Sequence, residues 1–199
     1  MEPFAIIGTI VDCINDYDWN LRIEKQGLLV IDHQGKIVYK GKSKDLSEAK
    51  NKFNIESVIE LENKNEFLLP GFIDSHIHAA QYPNAGLGLD LPLLEWLNKY
   101  TFPMERRYGE DLQFAKKAYE AVVKSTLNHG TTTASYFATI DVDASLILAE
   151  VAENLGQWFI NILMISPILN ILKNQIMYPT MHVHISMIYI HINKFQITP

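Results

Sequence analysis

Leu68-Leu69-Pro70-Gly71-Phe72-Ile73-Asp74-Ser75-His76-Ile77-His78 is the most informative run in the chain. Pro70-Gly71 interrupts what precedes it, and the apolar residues after it read as a buried strand. In a strand, side chains at i and i+2 share a face, so His76 and His78 point the same way with Asp74 beneath them. Two imidazoles so spaced can reach one divalent cation at about 2.0–2.1 Å, and Asp74 is expected to orient one ring as an acceptor. Two ligands are not yet a site, because a catalytic zinc needs three protein ligands and an open position. A bare His-x-His most often reflects exposed alternation; here the apolar approach and the strand–helix alternation that follows give it meaning.

After this run the period lengthens. Leu91 to Tyr100 carries a helical stripe through Leu93, Leu94, Trp96, Leu97 and Tyr100. Asp111 to Asn128 is an amphipathic helix stopped by His129-Gly130, where glycine supplies a left-handed cap and His129 faces the last carbonyls. Thr131 to Phe137 is a β-branched strand, and Asp141 or Asp143 caps a helix over Ala144 to Asn154. Two strand–helix units of a parallel α/β structure are visible. Before Pro70 the chain reads as short strands: Ala5 to Val11, then Gly27 to Ile31 and Lys36 to Tyr39 flanking the turn Asp32-His33-Gln34-Gly35, a brief helix over Ser47 to Asn54, and Val58 to Leu61. Trp96, Tyr100, Phe102 and Cys13 are expected in packing roles.

The chain has 199 residues, 48% of them apolar and 20% charged. That composition excludes a disordered, collagen-like or coiled-coil chain. One cysteine excludes an internal disulfide and suits a reducing compartment. A formal net charge of −6 with scattered basic residues argues against nucleic acid. The acidic N-terminus does not read as a targeting segment. Composition changes abruptly at Trp158: positions 158–199 hold no Asp, Glu, Gly or Arg, only Lys173 and Lys194, and 11 Ile. Translation of A/T-rich non-coding sequence would have this bias, so the native sequence is expected to stop near Gln157. Trp158 to Leu172 is too short for the roughly 20 residues of a bilayer span, and Pro167 interrupts it, so a membrane role is not expected. The expected organisation is a small β-rich module over 1–69, parallel strand–helix units over 70–157, and an aberrant hydrophobic tail over 158–199.

Pro70 to His78 resembles the first barrel strand of the amidohydrolase superfamily, whose His-x-His binds the catalytic metal. Ala79-Ala80-Gln81-Tyr82, the block Leu89-Asp90-Leu91-Pro92-Leu93-Leu94-Glu95-Trp96-Leu97, then Lys99-Tyr100-Thr101-Phe102-Pro103 with Glu105, and Asn128-His129-Gly130-Thr131-Thr132-Thr133 resemble the guanine deaminase family within it. The likeness runs through about positions 5 to 156. It implies an α/β fold: 70–157 as the first strands and helices of an incomplete (β/α)₈ TIM barrel, its N-terminal part, behind a small composite β-sandwich module over 1–69. It also implies a cytosolic, homodimeric, Zn²⁺-dependent hydrolase that converts guanine to xanthine and ammonia. Residue by residue, it makes His76 and His78 metal ligands and puts Gln81, with the backbone of His78, Ala79 and Ala80, where the family contacts the purine.

The family's remaining ligands, two histidines and an aspartate, come from later barrel strands, as does its proton-shuttling glutamate; no matching motif follows here, and no catalytic residue is assigned. His182, His184 and His191 lack the strand context and acidic neighbours of replacement ligands. The 88 residues from Pro70 to Gln157 are about a third of a barrel of roughly 250 residues. The isolated chain is therefore expected to fold poorly and to be inactive. The alternatives are a non-catalytic chain that associates with an intact subunit, or one that meets a membrane through its tail.

Overall fold

A computed structural model of the chain describes residues 1–13, 20–61, 65–162 and 187–191, with 160–162 and 187–191 described by their backbone alone. It divides into two compact units. One spans Met1–Gly71 and is joined by a late strand; the other begins at Phe72.

The first unit is a mixed six-stranded sheet of β1 (Phe4–Cys13), β2 (Leu21–Ile31), β3 (Ile37–Lys42), β4 (Ser57–Glu60), β5 (Glu66–Pro70) and β9 (Met187–His191), with α1 (Leu46–Phe53) between β3 and β4. β1, β2 and β3 are antiparallel neighbours, β4 and β5 both run parallel to β1, and β9 lies antiparallel along β5. The turn after β2 forms because Asp32 accepts hydrogen bonds from the backbone N–H groups of Gln34 (2.8 Å) and Lys36 (2.9 Å), with Gly35 at φ +79°. The Lys36 amide foremost holds the Asp32 carboxyl below the ordinary aspartate range. The second half of β2, from Gly27 to Ile31, is buried on both faces. Leu28 and Val30 pack with Ala5 and the Ala49 of α1, while Leu29 and Ile31 pack with Ile10, Leu61 and Leu68. Gly8 is required by close approach, since a Cβ there would sit 2.6 Å from the Leu61 Cβ. Cys13 departs from the expected packing role. It ends β1 opposite the exposed Leu21, beyond the reach of either apolar cluster, and is itself exposed.

The second unit holds β6 (Phe72–Ile77), β7 (Thr131–Phe137) and β8 (Trp158–Ile162), parallel and adjacent in chain order. Between β6 and β7 run a 3₁₀ turn (Ala79–Asn84), α2 (Leu93–Trp96), a π turn (Leu97–Thr101), α3 (Phe102–Glu110) and α4 (Leu112–Asn128); α5 (Val142–Asn154) links β7 to β8. The helical stripe expected over Leu91–Tyr100 thus runs on into α3. Pro103 lacks an N–H for the helical ladder, and the π turn, with Phe102 N bonded to Leu97 O, brings the chain to it. Asp111 caps α4 through Phe114 N (2.9 Å), and Asp141 caps α5 through Ala144 N (2.8 Å). The two long helices use alanines to approach the sheet: Ala115, Ala118, Val122, Ala144, Leu148 and Ala152 close over Ala134 and Tyr136 of β7. Three parallel strands alternating with helices are the opening part of a (β/α)₈ barrel.

The composition break at Trp158 is not a break in the sheet. β8 begins at that residue and pairs with β7 from Thr133↔Trp158 to Phe137↔Ile162, adding a third strand to the two read from sequence. The residue before it, Gln157, is 3% exposed. Its Oε1 accepts from the Tyr136 hydroxyl (2.6 Å), and its Nε2 donates to Thr126 Oγ1 (2.9 Å) and the Thr131 carbonyl (2.8 Å). One amide thereby joins the last turn of α4, both ends of β7 and the start of β8. Replacing Gln157 by Leu removes the partner amide of the Thr131 carbonyl and leaves the Tyr136 hydroxyl only its long 3.5 Å contact with Thr126 Oγ1, for an expected loss of roughly 1–3 kcal/mol in urea unfolding. Adding Tyr136→Phe should recover part of that loss, because it removes the hydroxyl left poorly paired.

Candidate metal centre

β6 carries the two histidines to its C-terminal end, the end at which barrel enzymes build their sites. Pairing with β7 starts where Gly130, at φ +90°, ends the α4 turn and accepts from Phe72 N (2.8 Å). The register then runs Asp74↔Ala134 and Ile77↔Tyr136, so Ser75 and His76 together oppose the single residue Ser135. This bulge breaks strict alternation and re-aims the strand end. The two imidazoles converge there, their Nε2 atoms 3.1 Å apart.

That span permits a test of fit. Two nitrogens each about 2.05 Å from one metal at a tetrahedral angle are about 3.3 Å apart. The pair therefore fits two corners of one coordination sphere. Among the described residues no group of three or more His, Cys, Asp or Glu side chains forms around them. His182 and His184 lie outside the described residues, as does the side chain of His191.

The surroundings hold the site in place in ways the sequence did not indicate. The face of Phe137, the last residue of β7, lies against both rings, with its centroid 4.1 Å from that of His76 and 5.1 Å from that of His78. Asp74 does not orient a ring as expected; its carboxylate accepts from the backbone N–H of His76 (3.1 Å), because the bulge turns that amide toward it. His78 opens the 3₁₀ turn, its carbonyl accepting from Gln81 N (3.1 Å). Ala79 and Ala80 bury their methyls in the core, so backbone is what they can offer a ligand. Gln81 is half-buried and its Nε2 donates to Glu105 Oε1 of α3 (3.2 Å). A carboxylate only accepts, so the Gln81 amide turns its NH₂ to Glu105 and keeps its oxygen for another donor. Glu105 and Phe137 received no role from sequence reasoning. Phe137 was findable as the residue ending the strand beside the His-x-His strand, whereas the Gln81–Glu105 bond spans 24 positions and has no local signal. His129 sits apart, its Nδ1 2.7 Å from the Ser125 carbonyl at the end of α4.

Residues 67–169 match the Amidohydrolase family profile, and the chain belongs to that family. Among its relatives are the guanine deaminase of Homo sapiens, 42% identical over 161 residues (79% of this chain, 35% of that protein), and that of Dictyostelium discoideum, 58% identical over 102 residues (51% and 22%). Among solved structures it resembles guanine deaminase from C. acetobutylicum with guanine bound in the active site (TM-score 0.67, 29% identity, 80% of this chain and 36% of that one). It also resembles E. coli guanine deaminase (TM-score 0.66, 32% identity, 81% and 36%). The chain spans about a third of the length of most of these proteins, and less of the Dictyostelium one. No helix among the described residues is long and apolar enough to cross a membrane.

Partial burial, then the neighbouring His76, push the His78 imidazole below the ordinary histidine range, with Glu105 opposing them more weakly. His78 should therefore be neutral and free to ligate at pH 7. In the metal-free chain its ring-proton NMR titration should have a midpoint below 6.5. Because the folded value is the depressed one, its contribution to stability should be full above pH 6.5 and fall away as pH drops below it.

Proposed function

We propose that this chain carries the opening metal-binding and purine-contacting segment of a guanine deaminase, an enzyme that hydrolyses guanine to xanthine and ammonia. The observation that carries the reading is the 3.1 Å convergence of the His76 and His78 Nε2 atoms at the end of β6, in a chain 42% identical to a guanine deaminase over 161 residues. Zn²⁺ is the cofactor that fits, since neutral imidazoles at this span suit its short bonds. When bound, it supplies the Lewis acidity that makes water a nucleophile near neutral pH.

The chain's own residues prepare the ligand site. His76 and His78 would hold the cation through Nε2, and the Asp74 carboxylate anchors the backbone N–H of His76. Gln81, its NH₂ engaged by Glu105, presents its amide oxygen to an N–H on the edge of a purine. The backbone of His78, Ala79 and Ala80 lines the same approach. The remaining ligands and the group that moves protons to the leaving amine are not among the described residues, so the 199-residue chain alone is expected to bind zinc weakly and to turn over no guanine. The family resemblance further supports a cytosolic homodimer for whole members.

Zinc content per chain, measured beside guanine turnover, tests this reading. His76→Asn and His78→Asn should each abolish stoichiometric zinc, and a chelator should strip the unsubstituted chain readily. Zinc retained by both variants would sink the assignment, and a zinc-dependent turnover of guanine by the homogeneous chain would overturn the expectation of inactivity.

A further inference from the structure

We propose that Phe137 is the positioning residue of the histidine pair, and that aromatic stacking here does the orienting that a hydrogen bond to the far ring nitrogen does at most histidine–metal sites. The inference rests on the reading of His76 and His78 as metal ligands.

A metal-binding imidazole ordinarily donates its other N–H to a carboxylate, a carbonyl or water, and this fixes the ring. Neither ring receives that treatment from the described residues. The nearest carboxylate in sequence, Asp74, is engaged by the His76 backbone N–H, and the bond made by the two imidazoles is the one between their Nε2 atoms. Rotation about the Cβ–Cγ bond of histidine is soft, with broad and roughly two-fold minima. Something else must hold two such rings turned toward each other.

Phe137 is placed to do it. It is half-buried at the end of β7, and its backbone is fixed between β6 and β8, pairing with Ile162 on the β8 side. Its plane is inclined 30° to the His76 ring and 19° to that of His78, so one face backs both imidazoles. The rings themselves are inclined 49° to each other, which lets the two nitrogens meet at their edges instead of stacking. A phenyl ring offers no lone pair, so it restrains the pair without competing for the cation or selecting a tautomer. The bulge at Ser75–His76 sets where the pair stands; Phe137 sets how the rings are turned.

The full 199-residue chain with Phe137→Leu and Phe137→Tyr tests this, using Co²⁺ as a spectroscopic probe and the imidazole Cε1–H resonances of the metal-free protein. Leucine retains an apolar side chain and loses the flat face, whereas tyrosine keeps the face. Expected are Co²⁺ binding weakened about tenfold in Phe137→Leu, with both ring-proton resonances moving toward their free-histidine positions, and near-normal values for both in Phe137→Tyr. Resonances that do not move in Phe137→Leu would overturn the contact. Unchanged Co²⁺ affinity in that variant, or a tyrosine variant as weak as the leucine one, would overturn the positioning role. His76→Asn serves as the separate control: if it leaves Co²⁺ affinity unchanged, the metal reading falls, and the resonances still report whether Phe137 holds the pair.

Discussion

Parallel pairing between β6 and β7, with two residues of one strand set against one of the other, is the constraint on which the rest of the second unit depends. A regular ladder would leave the strand end straight and its alternate side chains evenly spaced. With Ser75 and His76 set opposite Ser135, the His76 amide meets Asp74 and the two Nε2 atoms come together. The neighbouring strand must then be fixed firmly, because its terminal Phe137 backs the same rings. That firmness comes from below, where Tyr136 and Thr131, at opposite ends of β7, both bond to Gln157.

Local chemistry made much of this unit legible. The stop at His129-Gly130, the caps near Asp111 and Asp141 and the β-branched run of β7 are signals that act within one turn or one strand, and they lie where sequence reasoning expected them. The hairpin around Asp32-His33-Gln34-Gly35 is of the same kind, since a single carboxylate organises the turn. The histidine pair was legible as a pair because alternation puts i and i+2 on one side.

What escaped is set by partners far apart in the chain. A bulge is a property of two strands, and nothing in Asp74-Ser75-His76 alone announces that Ser135 will face two residues. Asp74 consequently took a backbone donor in place of an imidazole. Gln81 meets Glu105 across 24 positions, and Phe137 reaches its histidines from a strand separated from them by five helical segments. Composition and strand pairing do not change at the same place. The loss of charge and glycine at Trp158 marks a change of residue usage, yet an apolar, β-branched stretch is what a parallel strand flanked by helices requires, and β8 starts there.

The order of strands in the first unit carries a kinetic consequence. β1, β2 and β3 pair with near neighbours in the chain, but β5 pairs with β9 across the whole of the second unit, Glu66 opposite His191. The second unit is therefore an insertion, and joining β9 to β5 closes a loop of more than a hundred residues, a cost in chain entropy that grows only logarithmically with its length. Contacts so remote form late, as high contact order slows folding. During synthesis the hairpin of β2 and β3 can form as soon as residue 42 has emerged, whereas the edge of β5 waits for residues 187–191. For that interval it stands open to any other strand that arrives first.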